Sequence, residues 1–265
     1  MFKSHFGLTH APLGKQTKSL WDDGRLAQLS SRFQWLLQSP GIGLLTGEPG
    51  VGKTAWLRQL THTLNPHQYQ VIYTAETDFG RLDLYRQLAL QFGLEPPFRR
   101  AQLWRVIKQH ITQLYEQKNI LPVWIVDESH NLPHDFFKDF PSFLNFAFDS
   151  VDLMTVWLVG HPSLASLLAR PAYAALASRI QVKETLSPVL DKARFTELLQ
   201  HAFKEAGAQQ QILSDSGVEL VRMASKGHPR VAAQVIQHAL RLAMQEGLNH
   251  LPDTIIQRGI EEQRG

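Results

Sequence analysis

Residues 47–54 read GEPGVGKT, and this stretch decides the fold. An apolar run at 42–46 precedes it, and a helical pattern begins at Thr54. The spacing G-x-x-x-x-G-K-T places glycines where the backbone must turn tightly and aim successive N–H groups at phosphate oxygens. The N-terminus of the following helix also favours anions. The stretch therefore predicts a nucleoside triphosphate site on a strand–loop–helix unit.

Two side chains of this phosphate loop have specific roles in the prediction. Lys53 is expected to reach the β- and γ-phosphates, and the Thr54 hydroxyl is expected to hold Mg²⁺. The whole loop is predicted to bind the nucleotide, through Gly47, Glu48, Pro49, Gly50, Val51, Gly52, Lys53 and Thr54.

The composition excludes several classes of protein. The 265 residues include no cysteine, which excludes disulfides, thiolate zinc sites and a thiol nucleophile. No apolar run approaches the roughly 18 residues that a membrane span needs, and the N-terminus lacks the pattern of a secretory signal. We therefore expect a cytoplasmic protein without a membrane partner. The net charge of +3 permits nucleic-acid binding but does not demonstrate it.

Short apolar runs alternate with helical stretches over the first two thirds of the chain. This alternation predicts an α/β fold, with a five-stranded, mostly parallel sheet and helices on both faces. Ligands of such sheets bind beyond the carboxyl ends of the strands, which is where the phosphate loop lies. The predicted strands are 42–46, 70–75, 121–126, 153–159 and 181–185.

The character of the sequence changes after Pro188. The segments 191–206, 215–225, 229–245 and 252–262 have helical periodicity, and none of them has the pattern of a strand. We predict an α/β nucleotide-binding domain with its N-terminal segment over 1–187 and a small all-helical lid domain over 188–265.

A second part of the nucleotide site is predicted at the end of the strand 121–126. The strand is followed by Asp127 and Glu128, the arrangement of a Walker B motif. Asp127 is placed to hold Mg²⁺, and Glu128 to activate a water for attack on the γ-phosphate. The alternative is a strand that ends in a solvated acidic turn. An Asp-Glu pair, rather than a lone Asp, favours hydrolysis over binding alone.

Three further residues are candidates for roles in hydrolysis. His161 follows the strand 153–159 and is a candidate sensor of the γ-phosphate, or else an ordinary turn residue. Arg179 precedes the fifth strand and could neutralise charge on a neighbouring subunit's γ-phosphate, with a structural salt bridge as the alternative and Arg170 as a weaker candidate. Arg230, in Gly227-His228-Pro229-Arg230, is a candidate sensor of nucleotide state or a surface arginine near a helix cap.

Together these motifs resemble those of AAA+ ATPases. The motifs follow one another over nearly the whole chain. Their order is the phosphate loop, the acidic strand end, the arginine-finger candidate and the G-x-P-R turn. The resemblance implies that the nucleotide is ATP with Mg²⁺, that the fold is a P-loop AAA+ domain with a helical lid, and that Arg179 and Arg230 are site residues.

More narrowly, the segments 6–15 and 144–162 are similar to a bacterial group with two uses. One use is transposition, where MuB, TnsC and IstB assemble on duplex DNA, mark target sites and recruit a transposase. The other is secretion or pilus assembly by ExeA-type ATPases, which usually continue into a membrane span and a periplasmic domain. This sequence has neither, so we expect the transposition use. His161 departs from the secretion branch, where glutamine or a small polar residue is expected.

The leading hypothesis is therefore an ATP-dependent DNA-binding regulator of transposition that assembles as a ring or filament and disassembles on hydrolysis. The loop 77–81 is the first candidate for DNA contact, and Arg99 with Arg100 the second. The alternatives are an ExeA-like cytoplasmic ATPase that acts on protein partners and an ATPase scaffold of an antiviral or signalling complex.

Overall fold

The computed structural model describes residues 2–77 and 80–264, apart from the side chain of Arg264. Five parallel strands form one sheet in the order β2-β3-β4-β1-β5. This result confirms the predicted α/β fold with a five-stranded parallel sheet and a helical C-terminal region. The strands are β1 (Ile42–Gly47), β2 (Tyr69–Thr74), β3 (Leu121–Val126), β4 (Thr155–Gly160) and β5 (Ile180–Leu186).

Helices connect the strands and make up the C-terminal part of the chain. A π-helical segment, Gln113–Gln117, follows the fifth helix. The α-helices are α1 (Phe2–His5), α2 (Arg25–Gln38), α3 (Lys53–His62), α4 (Arg81–Gln91), α5 (Arg100–Thr112), α6 (His134–Phe143), α7 (Pro162–Leu168), α8 (Ala174–Ala177), α9 (Lys192–Glu205), α10 (Asp215–Ser225), α11 (Pro229–Gln245) and α12 (Asp253–Arg264). Among the residues that the structure describes, no helix combines the length and apolar composition required to cross a bilayer.

Burial along the strands explains their sequences. Every residue of the three central strands β1, β3 and β4 is buried, as expected for parallel strands covered on both faces. These strands accordingly read as continuous apolar runs rather than as alternating patterns. The edge strand β5 alternates buried and exposed positions over most of its length.

The chain divides into two compact units. The sheet unit comprises Ala27–Gly47 and Leu60–Leu186, and the helical unit comprises Met1–Leu26, Glu48–Gln59 and Ser187–Gly265. The core of the sheet unit is rich in aromatic residues, which include Tyr85, Trp124 and Phe140. Residues 48–54 of the phosphate loop therefore belong to the same compact unit as the C-terminal helices.

The N-terminal segment is part of the core of the helical unit. Phe6 and Leu8 are buried in the same apolar cluster as Phe195 and Ile236. The backbone N–H of Thr9 also donates to the carbonyl of Ala206, at 2.8 Å. Phe6 and Leu8 thus anchor the segment on α9 and α11.

The register of the sheet places the candidate site residues that follow the strands. Thr46 of β1 lies opposite Gly160 of β4, and Val126 of β3 lies opposite Leu158 of β4. The last residues of these neighbouring parallel strands are therefore at one edge of the sheet, its carboxyl edge. The phosphate loop, the acidic pair and His161 follow β1, β3 and β4 along the chain.

Candidate functional site

The phosphate loop has the backbone geometry that its glycines predict. Gly50 and Gly52 have φ values of +85° and +105°, in the left-handed region that L side chains rarely adopt. Lys53 begins α3 and is only 8% exposed. Its Nζ donates to the carbonyl oxygen of Glu48 at 3.1 Å. The ammonium group is therefore folded back over the loop that would surround the phosphates.

Arg230 lies beside the phosphate loop within the helical unit. Its backbone N–H donates to the carbonyl of Gly50 at 3.2 Å. A Cβ on Gly50 would approach the Cβ of Arg230 to 2.9 Å, so the loop and the start of α11 are in direct contact. The structure thus brings together the predicted phosphate loop and the predicted sensor turn.

Asp127 is held in a fixed orientation at the carboxyl edge of the sheet. It is only 3% exposed. Its Oδ2 accepts a hydrogen bond from the hydroxyl of Tyr73 at 3.0 Å, and its Oδ1 accepts one from the backbone N–H of Glu128 at 2.9 Å. Tyr73, at the penultimate position of β2, was not predicted from the sequence.

Glu128 is more exposed than Asp127 and has an unusual backbone conformation. Its φ of 52° lies in the left-handed region, which costs a non-glycine residue about 1–3 kcal/mol. The hydroxyl of Thr77 donates to its carbonyl oxygen at 3.0 Å. The side chain is 51% exposed and lies near His130, with 3.6 Å between Oε2 and the imidazole Nδ1. The carboxylate of Glu128 is therefore open to solvent, as the activation of a water requires.

His130 connects the acidic pair with the end of β4. Its Nδ1 accepts a hydrogen bond from the backbone N–H of His161 at 3.3 Å. A Cβ on Gly160 would lie 3.1 Å from the same nitrogen, so glycine at this position leaves room for the imidazole. His130 was not singled out from the sequence, although a polar side chain two residues after Glu128 is a signal that could have identified it.

His161 acts locally as the N-cap of α7. Its Nδ1 accepts a hydrogen bond from the backbone N–H of Ser163 at 3.3 Å and lies 3.1 Å from the hydroxyl of that residue. The imidazole rings of His161 and His130 are 6.0 Å apart. The structure thus brings His161 close to Glu128 through His130.

Arg179 and Glu128 lie at opposite ends of the parallel strands. Glu128 is at the carboxyl edge of the sheet, and Arg179 is at the amino edge. It directly precedes β5, whose first residue Ile180 pairs with Ile42 at the start of β1. A strand of six residues spans about 20 Å. The structure therefore does not bring Arg179 and Glu128 of one chain together.

Arg179 forms a bidentate ion pair with Asp149. The hydrogen bonds from Arg179 hold the pKa of Asp149 below its ordinary value, and they raise the pKa of the guanidinium. Burial raises the pKa of the neighbouring Asp152. A cavity of about 100 Å³ is lined in part by Asp152 and Arg179. Asp149 was not predicted, and its distance in sequence from Arg179 leaves no signal that could have found it.

The candidates for DNA contact differ in their surroundings. Asp78 and Phe79, in the loop 77–81, lie outside the described residues. Arg81 and Arg100 both form ion pairs with Asp139, and the guanidinium of Arg100 lies 4.4 Å from the ring centre of Trp104. Their charges are therefore partly neutralised within the sheet unit.

Several solved structures share the fold of this chain. The Cdc6p protein from Pyrobaculum aerophilum matches with a TM-score of 0.74 and 18% identity, over 98% of this chain and 70% of that one. The Aeropyrum pernix ORC1 protein in complex with DNA matches with a TM-score of 0.71 and 17% identity, over 94% and 68% of the two chains. The Thermotoga maritima RuvB Holliday junction branch migration motor matches with a TM-score of 0.58 and 17% identity, over 91% of this chain and 69% of that one. At these identities the likeness concerns the fold alone.

The sequence matches no curated protein closely enough to identify a relative. Residues 36–168, however, match the family described as AAA domain. This match covers half of the chain and extends from the end of α2 to the end of α7. It includes the phosphate loop, the acidic pair and His161. The chain therefore belongs to the AAA domain family, the AAA+ ATPases.

Proposed function

We propose that this chain is a Mg²⁺-dependent ATPase that assembles on duplex DNA in its ATP-bound form and leaves the DNA on hydrolysis. The observation that carries the proposal is the phosphate loop, because left-handed glycines and a buried lysine at a helix start form a cradle for phosphates in a chain of the AAA domain family. Lys53 would exchange the carbonyl of Glu48 for the β- and γ-phosphates.

The acidic pair supports hydrolysis rather than binding alone. Glu128 would orient and activate the attacking water, and its exposed carboxylate leaves room for one. His161 would contact the γ-phosphate, and Arg230 would report the nucleotide state to the helical unit. These roles are those that AAA+ ATPases assign to residues in matching motifs.

Magnesium is part of the proposal because of the chemistry of two predicted site residues. Thr54 and Asp127 offer oxygen ligands, which Mg²⁺ prefers, and two hydrogen bonds already orient the carboxylate of Asp127. These two residues would hold the ion. When bound, Mg²⁺ neutralises charge on the β- and γ-phosphate oxygens.

The position of Arg179 supports the proposal that the enzyme acts as an oligomer. Arg179 lies at the opposite edge of the sheet from Glu128, so it would act on the nucleotide of a neighbouring chain. A contact in which one chain completes the site of the next is head-to-tail. Such contacts close into rings or continue as filaments.

DNA is the proposed scaffold of the assembly. The structure of Aeropyrum pernix ORC1 was determined in complex with DNA, and a Drosophila ORC structure is likewise described as bound to DNA. Contacts from lysines and arginines to phosphates would make the binding tolerant of sequence and strongly dependent on salt.

The biological role that we propose is the regulation of transposition. The support for it is the similarity of the segments 6–15 and 144–162 to the transposition group that includes MuB, TnsC and IstB. In that role the DNA-bound assembly would mark target DNA and recruit a transposase. An integrase-type transposase gene next to the gene for this chain would support this part of the proposal.

Two variants test the ATPase on duplex DNA. Lys53→Ala is expected to abolish ATP binding, and Glu128→Gln is expected to retain ATP binding and abolish hydrolysis. A DNA affinity that is the same with ATP, with ADP and without nucleotide would contradict the coupling of ATP to DNA binding. For the transposition role, the readout is strand transfer by the neighbouring transposase into a target plasmid, which should require this protein and ATP.

A further inference from the structure

His228 lies between the phosphate loop and the start of α11. Its Nε2 is 2.7 Å from Oε2 of Glu48, the second residue of the loop. The side chain of His228 is 17% exposed, and that of Glu48 is 55% exposed. This contact supplements the hydrogen bond from the N–H of Arg230 to Gly50, so the loop and the turn are joined at two points.

The backbone around His228 holds the imidazole in place. Gly227 has a φ of +73°, and a Cβ there would lie 2.4 Å from the carbonyl oxygen of Val189. The N–H of Val189 donates to the carbonyl of Gly227 at 2.9 Å. Pro229, directly after His228, is the first residue of α11, and its ring fixes φ there. The imidazole therefore projects toward Glu48 from a constrained turn.

Both ring nitrogens of His228 face hydrogen-bond acceptors. Nδ1 lies 3.1 Å from the carbonyl oxygen of Ser225, and Nε2 faces the carboxylate of Glu48. A neutral imidazole has one N–H and can donate to only one of these acceptors, whereas the protonated ring donates to both. The contact with Glu48 therefore requires that Nε2 carries the N–H.

Glu48 connects this contact with the lysine that binds phosphate. Its carbonyl oxygen accepts hydrogen bonds from Nζ of Lys53 at 3.1 Å and from the N–H of Val51 at 3.4 Å. The carboxylate of Glu48 thus contacts His228 in the turn, and its carbonyl oxygen contacts Lys53. A change in the position of Glu48 would move the carbonyl that holds Lys53.

We infer that His228 is a positioning residue of the phosphate loop, and that the N–H at its Nε2 fixes Glu48 so that the loop is ordered for the nucleotide. This inference rests on the proposed binding of ATP at the loop.

The test is the affinity of each variant for the fluorescent nucleotide mant-ADP. Exposed ion pairs contribute about 0.2–1 kcal/mol, so His228→Ala should weaken binding about 1.4- to 5-fold. Glu48→Gln should have the same effect, and the double variant should add nothing further. In His228→Gln, an amide N–H can replace the donor to Glu48, so this variant should recover most of the affinity that His228→Ala loses.

His238→Ala is the matched control, because His238 forms a similar pair with Glu262, at 3.0 Å, between α11 and α12. It should leave the affinity unchanged. Equal losses in His228→Ala and His238→Ala, or a loss in His228→Gln as large as that in His228→Ala, would overturn the inference.

Hydrogen exchange of the nucleotide-free protein tests the contact independently of nucleotide binding. The peptide that covers residues 48–52 should exchange faster in His228→Ala than in wild type or His238→Ala. Unchanged exchange would overturn the inference, whatever the nucleotide affinities are. If the exchange is faster but the wild type does not bind mant-ADP, the proposed function fails while the contact between His228 and Glu48 stands.

Discussion

Arg179 and Asp149 form a two-point ion pair within one chain. Nη1 of Arg179 donates to Oδ1 of Asp149 at 2.7 Å, and Nη2 donates to Oδ2 at 2.5 Å. Asp149 ends a segment of three successive residues with left-handed backbone, and its neighbour Phe148 is fully exposed. An arginine that acts on a neighbour's nucleotide must exchange this carboxylate for phosphate oxygens, which are recognised by the same planar guanidinium.

Substitution of Arg179 should lower the ATPase rate, whereas substitution of Asp149 should raise it. An arginine that stabilises the transition state in trans contributes about 10³-fold or more to kcat, so Arg179→Ala should lower the DNA-stimulated ATPase to near the detection limit while nucleotide affinity is retained. Asp149→Asn should raise the activity at limiting protein concentration by about 2- to 5-fold, because the exposed ion pair opposes release of the arginine only weakly.

The measurement is the ATPase rate against protein concentration on duplex DNA. Arg170→Ala is the control, since Arg170 is the weaker finger candidate and should leave the rate within about 2-fold of wild type. Full activity in Arg179→Ala together with loss of activity in Arg170→Ala would assign the role to Arg170. Full activity in both variants would remove the arginine finger from the mechanism.

His130 should affect turnover rather than nucleotide binding. Its Nδ1 accepts a hydrogen bond from the backbone N–H of His161 and lies 3.6 Å from the carboxylate of Glu128, so its removal changes the surroundings of that carboxylate. We expect His130→Ala to lower kcat by about 10-fold, the effect of about 1.4 kcal/mol, with the KM for ATP nearly unchanged.

Steady-state ATPase kinetics separate these two parameters. His134→Ala is the control, because His134 is an exposed histidine at the start of the next helix. If His130→Ala raises the KM for ATP and leaves kcat at the wild-type value, the contact with Glu128 has no part in hydrolysis.

Glu205 should make the stability of the helical unit depend on pH. Burial alone would raise the pKa of this carboxyl, but hydrogen bonds from the N–H of Lys18 and from His10 outweigh it, and the pKa lies below the ordinary value of 4.5. Because the pKa is lower in the folded state, the contribution of Glu205 is present above about pH 4.5 and is lost as the pH falls through the folded-state pKa.

Glu205→Gln should accordingly lower the free energy of unfolding by about 1.5–3 kcal/mol at pH 7, the range for hydrogen bonds to a charged group. The difference from wild type should shrink toward zero on acidification. Urea unfolding at pH 7 and pH 3 measures it, with Glu197→Gln on the exposed face of α9 as the control. A difference that grows at low pH would contradict the assignment of the charge to Glu205.

Much of the fold was predictable because its signals are local. The buried strands β1, β3 and β4 are continuous apolar runs, which is the pattern of central strands in a parallel sheet. The candidate phosphate loop and acidic pair could be named from the sequence for a similar reason, since their proposed chemistry requires particular residue types at fixed spacing. Several ends of the observed strands differ from the predicted ones by one or two residues. For example, β4 begins at Thr155, whereas the prediction began at 153.

Contacts between distant parts of the chain were not predictable. The pairing of His228 with Glu48, 180 residues away, and that of Arg179 with Asp149 depend on how the helices and loops pack. The sequence showed each of these side chains as an isolated charged or polar residue. The roles of His161, Arg179 and Arg230 in hydrolysis remain predictions, and Arg179→Ala tests that of Arg179.

The central claim is that ATP controls assembly on DNA, and Glu128→Gln tests it most directly. Electron microscopy of this variant with ATP and duplex DNA should show DNA-bound rings or filaments that persist, whereas wild type with ATP should show them transiently and Lys53→Ala should show none. Wild type with a slowly hydrolysed ATP analogue should match Glu128→Gln. A variant that binds ATP but forms no DNA-bound oligomer, or one that forms the same oligomer without nucleotide, would contradict the claim.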